Sequence, residues 1–205
     1  MRIFCFGASI TQGFEDSQGG WVDRLKRYEM AQRIASKRDW TIFNLAVSGD
    51  SSSDVLRRMR EEISHRQWPS EELMIIVSVG TNDSMIHHGK EHVAVSTYEQ
   101  NLRDIVQAAK GFTPKVVFVE LPPCDEARTT PVSWGDYHYT NARIRQYNEV
   151  MRMVADECGV EMVDIYDAFQ ARRRQAELLF DGLHPNDEGH ELIYGAVKKK
   201  LEAIL

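Results

Sequence analysis

Three cysteines, Cys5, Cys124 and Cys158, are all that this chain of 205 residues carries. An odd number with no C-x-x-C spacing excludes a disulfide framework and a zinc ribbon. Cys5 sits in an apolar run and reads as a small buried hydrophobe. No apolar run approaches the roughly 20 residues of a membrane-spanning helix. The few apolar residues ahead of Gly7 also fall short of a signal-peptide core of about 7–15 residues. A cytoplasmic location without a membrane span is therefore expected. Basic residues are outnumbered by acidic ones, 25 to 31, for a net charge of −6. That balance disfavours a nucleic-acid surface. The basic runs, Arg172 to Arg174 and Lys198 to Lys200, read as a solvated helix face and the cationic end of a last helix. No glycine-rich loop ends in Lys-Ser or Lys-Thr, which argues against a nucleotide-binding module.

What is present has the balance of a globular protein, 42% hydrophobic and 27% charged residues. Five β-rich runs, residues 2–6, 41–47, 73–79, 115–121 and 161–165, alternate with helical patterns. The third run is almost continuously apolar, as suits a central parallel strand covered on both faces. Between the strands, apolar residues recur at spacings of three and four. They form the stripes Val55-Met59-Ile63, Tyr98-Leu102-Ile105-Ala109 and Ile144-Tyr147-Met151-Val154. A last stripe runs from Leu192 to Ile204. Alternation of this kind predicts right-handed βαβ units and a parallel sheet between helix layers. With no repeat, linker or low-complexity segment, residues 1–205 read as one domain. The longest irregular stretch, from Pro122 to about Thr140, carries Trp134, Tyr137 and Tyr139 and reads as an ordered, functional wall.

Ligands of such sheets bind beyond the carboxyl ends of the strands, and four polar segments fall there. "FGASITQG" puts Ser9 just past the first strand, after a glycine able to turn sharply. "VSGDSSSD" offers the Gly49 amide, and "VGTNDS" the Asn82 side chain. "FDGLHPND" places Asp181 three residues before His184. Each residue alone has an ordinary reading: a turn or cap serine, a loop asparagine bonding its own backbone, a surface histidine. Together they fit acyl transfer. Ser9 needs a base, His184 can be one, and Asp181 can orient it. The amides of Ser9 and Gly49 and the Asn82 side-chain NH₂ would donate to the oxyanion.

"FGASIT", Gly49, "GTND" and "DGLHPN", with "GGWVDRL" after the first, resemble the signature blocks of the SGNH hydrolases, or GDSL family of lipases and esterases. They occur in the family's order from residue 6 to residue 186. The resemblance implies a flavodoxin-like, three-layer α/β/α sandwich around a five-stranded parallel sheet. It implies an esterase or acylhydrolase without cofactor or metal, acting on a small-molecule ester such as an acetylated sugar or a thioester. It also implies Ser9, Asp181 and His184 as catalytic residues, with Ser9, Gly49 and Asn82 forming the oxyanion hole. The family's usual Asp before the serine is here Ala8, which leaves open how the nucleophile turn is braced. A catalytically silent carbohydrate-binding relative is the alternative reading. An α/β-hydrolase fits poorly, because the serine motif is Gly7-x-Ser9-x-Thr11 and no H-G-G-G run exists.

His88 and His92 are four apart, but Gly89 between them weakens a helix, so "HHGKEH" reads as a loop at the site mouth and not as a metal site. His190 reads as structural. Ser51 and Asp54 have capping-box spacing for the second helix.

Overall fold

The computed structural model describes residues 1–172 and 175–205. Arg173 and Arg174, part of the basic run noted above, lie outside the described residues. Along the chain run β1 (Arg2–Gly7), α1 (Ser9–Gln12), α2 (Gly20–Ile34), β2 (Thr41–Asn44), α3 (Ser52–Ser64) and β3 (Leu73–Ser78). Next come β4 (Ile86–His87), β5 (Lys90–Glu91), α4 (Val95–Lys110), β6 (Val116–Val119), α5 (Glu126–Thr129) and β7 (Tyr137–His138). The chain then forms α6 (Asn141–Cys158), β8 (Glu161–Val163), α7 (Tyr166–Gln170) and α8 (Asp187–Ile204).

Strands β2, β1, β3, β6 and β8, in that order, form the expected five-stranded sheet, parallel throughout. Successive side chains on a strand face opposite sides, and here both sides are apolar. Phe4, Phe6, Ile75, Val77 and Phe118 face a core shared with α3, α4 and α6. Ile3, Cys5, Met74, Ile76, Val117 and Val119 face a second core with α2 and α8. The fold is thus a three-layer α/β/α sandwich. The helical stripes do what their spacing predicts: Val55, Met59, Ile63, Tyr98, Leu102, Ile105, Ile144, Tyr147, Met151 and Val154 are all fully buried. Burial also pushes the Cys5 thiol well above its ordinary pKa, so it packs as a hydrophobe.

Three features differ from the sequence expectation. The strand ladders stop short of Val47, Leu121 and Ile165. After β2 the chain still runs beside β1, but its amides bond singly, Leu45 N–H to Cys5 O at 2.8 Å and Val47 N–H to Gly7 O at 3.1 Å. Helix α2 carries no stripe that spacing would find, because its buried apolar residues Trp21, Val22 and Leu25 crowd its start. Further along, its buried side is completed by Glu29, ion-paired to Arg38. Finally, "HHGKEH" is not a loop but a hairpin: β4 pairs antiparallel with β5, and β7 adds on the other side. His88 and Gly89, at φ 48° and 69°, form its two-residue turn, the geometry that matches strand twist.

The order of the sheet fixes where a ligand can sit. From β1 the chain moves outward to β2, then returns to β3 on the other side of β1. This reversal opens a crevice at the carboxyl ends of β1 and β3.

Candidate active site

Ser9 opens α1 directly beyond β1 and lines this crevice. Gly7 is required one turn back, since a Cβ there would lie 2.2 Å from Thr11 Oγ1 and 2.4 Å from Ser78 O. As the first residue of a helix, Ser9 has an N–H without an intrahelical acceptor. On the far side of the crevice, Asp181 and His184 sit in the turn before α8. Asp181 Oδ1 accepts the amides of Leu183 at 2.9 Å and His184 at 2.8 Å. Its Oδ2 lies 2.6 Å from His184 Nδ1. With Nδ1–H donating to that carboxylate, Nε2 is left to accept from Ser9 Oγ, at 2.9 Å. Burial raises the Asp181 carboxyl, but the His184 side-chain and backbone hydrogen bonds outweigh it and hold the group below the ordinary carboxylate range. The structure therefore brings all three residues into one hydrogen-bonded chain. A serine hydroxyl bonded to an oriented imidazole is chemically equipped for nucleophilic attack.

Gly49 and Asn82 line the same cavity. Gly49 has φ 88°, a conformation natural to glycine. Its turn is tied down by Arg58, whose Nε pairs with Asp50 Oδ2 at 2.7 Å and whose Nη1 donates to Leu45 O at 2.6 Å. Asn82 Nδ2 donates one hydrogen to Asp50 O at 2.9 Å. An amide nitrogen carries two, so one remains for a ligand. The expected capping interaction at α3 is present, with Asp54 accepting the Ser51 N–H at 3.0 Å.

Bracing of the segment after Ser9 comes from outside the motif. Asn44 Nδ2 donates to Thr11 O at 3.1 Å. Arg24 clamps Asp16 with two bonds, of 3.2 and 2.8 Å, and reaches Glu191 and the Asp187 carbonyl on α8. The Asp16 side chain is fully buried in this pair. His190, also buried, accepts the Trp21 N–H and donates to Phe14 O, and burial lowers its pKa, in keeping with a neutral structural ring. Arg24→Ala would strand the Asp16 carboxylate in the interior. It should destabilise the fold by about 3 kcal/mol, the low end for breaking a buried pair. Urea denaturation measures this, and a loss under about 1 kcal/mol would assign the pair no more weight than a surface salt bridge.

The cavity holds about 640 Å³. Trp134, Tyr137 and Tyr139, in the stretch read from sequence as a wall, line it. Phe14 packs its ring at 5.0 Å from that of His184, and Trp134 at 5.9 Å. Phe14, Phe180 and Met85 are lining residues the sequence reading missed. Phe14 and Phe180 each adjoin a motif, but an isolated aromatic there has no periodicity to mark it. His88 and His92 diverge: His88 Nδ1 pairs with Asp136 at 2.8 Å, while His92 lines the cavity. Among the described residues, no group of three or more His, Cys, Asp and Glu is placed to hold a metal ion. A second cavity of similar size, about 650 Å³, lies between α6 and α7 and is lined by Arg145, Arg152, Asp164 and Tyr166. Its lining contains no nucleophile beside a base, so the chemistry is sought at Ser9. Among the described residues, no helix is long and apolar enough to cross a membrane.

The model of the GDSL-like lipase/acylhydrolase family matches residues 5–192. The GDSL esterase/lipase WDL1 of Oryza sativa subsp. japonica is 30% identical over 206 residues, covering 96% of this chain and 76% of that protein. The isoamyl acetate-hydrolyzing esterase 1 homolog of Mus musculus is 29% identical, covering 94% and 78%. The lipase/acylhydrolase of Enterococcus faecalis has the same fold, with a TM-score of 0.79 at 23% identity over 98% of this chain and 95% of that one. A match that takes in every motif loop around the crevice leaves no room for a chance likeness: this chain belongs to the GDSL-like lipase/acylhydrolase family and is an ester-hydrolysing enzyme.

Proposed function

We propose that residues 1–205 form one catalytic domain that cleaves small carboxylic esters through an acyl-enzyme on Ser9. The observation that carries this reading is the continuous chain from Asp181 Oδ2 through His184 to Ser9 Oγ, with links of 2.6 and 2.9 Å. Ser9 Oγ attacks the ester carbonyl while His184 Nε2 takes the hydroxyl proton. The carbonyl oxygen becomes an oxyanion, which accepts from the amides of Ser9 and Gly49 and from Asn82 Nδ2. Collapse of this intermediate breaks the ester C–O bond. His184 passes its proton to the departing alkoxide, leaving an acylated Ser9. Water then attacks the acyl-enzyme by the same steps in reverse, and the carboxylic acid leaves. Asp181 stays ionised throughout, as its lowered pKa favours, and stabilises the imidazolium.

A small, neutral ester suits the site best. Phe14, Met85, Trp134, Tyr137, Tyr139 and Phe180 give the walls much apolar surface, and the acidic Glu15 beside them disfavours an anionic substrate. A relative is named an isoamyl acetate-hydrolyzing esterase 1 homolog. The free thiols Cys5, Cys124 and Cys158 favour a reducing compartment, and we place the enzyme in the cytoplasm. Rapid mixing with p-nitrophenyl acetate should release about one p-nitrophenolate per enzyme before steady turnover, where deacylation is the slower step. Across p-nitrophenyl esters, kcat/KM should fall by about tenfold or more from butyrate to dodecanoate, as added methylenes run out of pocket. A rate that instead climbs steadily to dodecanoate would replace the small-ester reading with a lipid substrate.

A further inference from the structure

Two of the donors assigned to the oxyanion stand on separate loops, Gly49 after β2 and Asn82 after β3. Their spacing depends on whatever joins those loops, and the joint is a buried polar network. Asn82 Nδ2 reaches across to Asp50 O. One residue on, the Asp83 side chain crosses to the start of α3. Both of its oxygens accept the Ser52 N–H at 3.0 Å, and Ser52 Oγ donates to Oδ1 as well. From α4, Asn101 Nδ2 donates to Ser52 Oγ at 2.8 Å and to Ser53 Oγ at 2.9 Å. Asp83 and Ser52 are fully buried. A carboxylate in that position is costly even when hydrogen-bonded. Burial raises its pKa against the pull of the Ser52 bonds. Apolar packing would fill the same space at lower cost, so the network calls for a role beyond filling it.

We propose that Asp83 is a positioning residue for ester hydrolysis: by holding Ser52 at the head of α3, it fixes the Gly49 amide relative to the Asn82 amide. The proposal rests on the oxyanion roles given above to those two residues. Charge and geometry make opposite forecasts here, which gives the idea a sharp test. A carboxylate near a developing oxyanion repels it. On Coulomb grounds alone, Asp83→Asn should speed the reaction. Positioning forecasts a loss, because asparagine keeps one acceptor oxygen and turns an NH₂ toward the Ser52 N–H, donor against donor.

The experiment is a double-mutant cycle on Asn82 and Asp83, with kcat and KM for p-nitrophenyl acetate measured well below each variant's Tm. Asp83→Asn should lower kcat by about tenfold, less than the hundredfold that a misplacement of about 1 Å brings, with KM within about twofold. In the Asn82→Ala background, the same change should cost no more than about threefold, since one of the two groups it aligns is gone. A silent or faster Asp83→Asn overturns the proposal. So does a full tenfold loss in both backgrounds, which would be a general structural effect. Should Asp83→Asn fail to fold, Ser52→Ala removes the hydroxyl bond and keeps the N–H bond. It should lower kcat by about threefold and lose most of that effect in the Asn82→Ala background, and an unchanged kcat counts against Asp83 equally. The two readings fail separately. An Asn82→Ala enzyme with normal kcat sinks the oxyanion assignment and this proposal with it, whereas a slow Asn82→Ala enzyme beside a silent Asp83→Asn sinks the positioning role alone.

Discussion

Replacing Ser9 with alanine should lower kcat/KM for p-nitrophenyl acetate by at least about 10⁴-fold, and His184→Ala should do nearly as much. The two act as a unit: without Oγ there is no atom to acylate, and without Nε2 the hydroxyl keeps its proton. Their losses should therefore not add in the double variant. Asp181→Asn should leave about ten- to a hundredfold more activity than either, because it orients the base and carries no covalent step. Its Oδ1 can still accept the Leu183 and His184 amides, but an NH₂ in place of Oδ2 faces Nδ1 as a donor, which removes the charge that favours the imidazolium and moves the ring proton to Nε2. Stability separates this chemistry from misfolding. Ser9 Oγ bonds to His184 across the crevice, and loss of one such bond costs about 1 kcal/mol. A Ser9→Ala protein that keeps its Tm within a few degrees and its activity within tenfold would mean that another residue is acylated.

The second large effect belongs to Asn82. Its free amide hydrogen meets a neutral carbonyl in the ester and a charged oxygen in the transition state, and a bond to the charged acceptor is about twice as strong. Asn82→Ala should then lower kcat by about 10²–10³-fold, the range for one lost oxyanion donor, while KM barely moves. The Ser9 and Gly49 amides should sustain the residual turnover. Some stability is lost too, because the bond from Nδ2 to Asp50 O disappears, at a cost of about 1 kcal/mol. That cost cannot account for a hundredfold change in the rate of folded enzyme. If Asn82 only anchors the loop, kcat holds within a few-fold while Tm drops. Measuring kcat, KM and Tm on one preparation distinguishes the two.

Much of this site was legible in the sequence because its parts lie in short loops next to strands. A strand end fixes where a side chain goes, so Ser9, Gly49 and Asn82 followed from locating β1, β2 and β3, and Asp181 and His184 from the turn before α8. Spacing also found the stripes of α3, α4, α6 and α8, because each keeps one apolar face through several turns. It missed α2, where the buried apolar residues end at Leu25, Met30 and Ile34 face outward, and a buried ion pair takes over. It also missed the β4–β5 hairpin, whose two-residue strands are too short to show alternation. Least legible were polar contacts between elements and loops, whether eight residues apart in the chain or thirty-one. Arg58 on Asp50, Arg24 on Asp16 and Asp83 on Ser52 are charged or polar pairs that carry no local pattern. The Ala8 departure shows the same limit. Bonds from Asn44 and the Arg24–Asp16 clamp brace the segment after Ser9; both lie outside the serine block, Arg24 within the GGWVDRL stretch, and no local pattern announces either contact.

The most direct test of the account is where a covalent probe lands. A fluorophosphonate reacts with a serine activated by a neighbouring base, and the adduct resembles the tetrahedral intermediate. Incubation of the native enzyme, followed by digestion and tandem mass spectrometry, should place one phosphonyl group per chain on Ser9, with activity lost in parallel. His184→Ala should label at a rate at least about a hundredfold lower, since the base contributes roughly 10²–10⁴-fold. An adduct on a different residue, or full inactivation with Ser9 unmodified, would contradict the account.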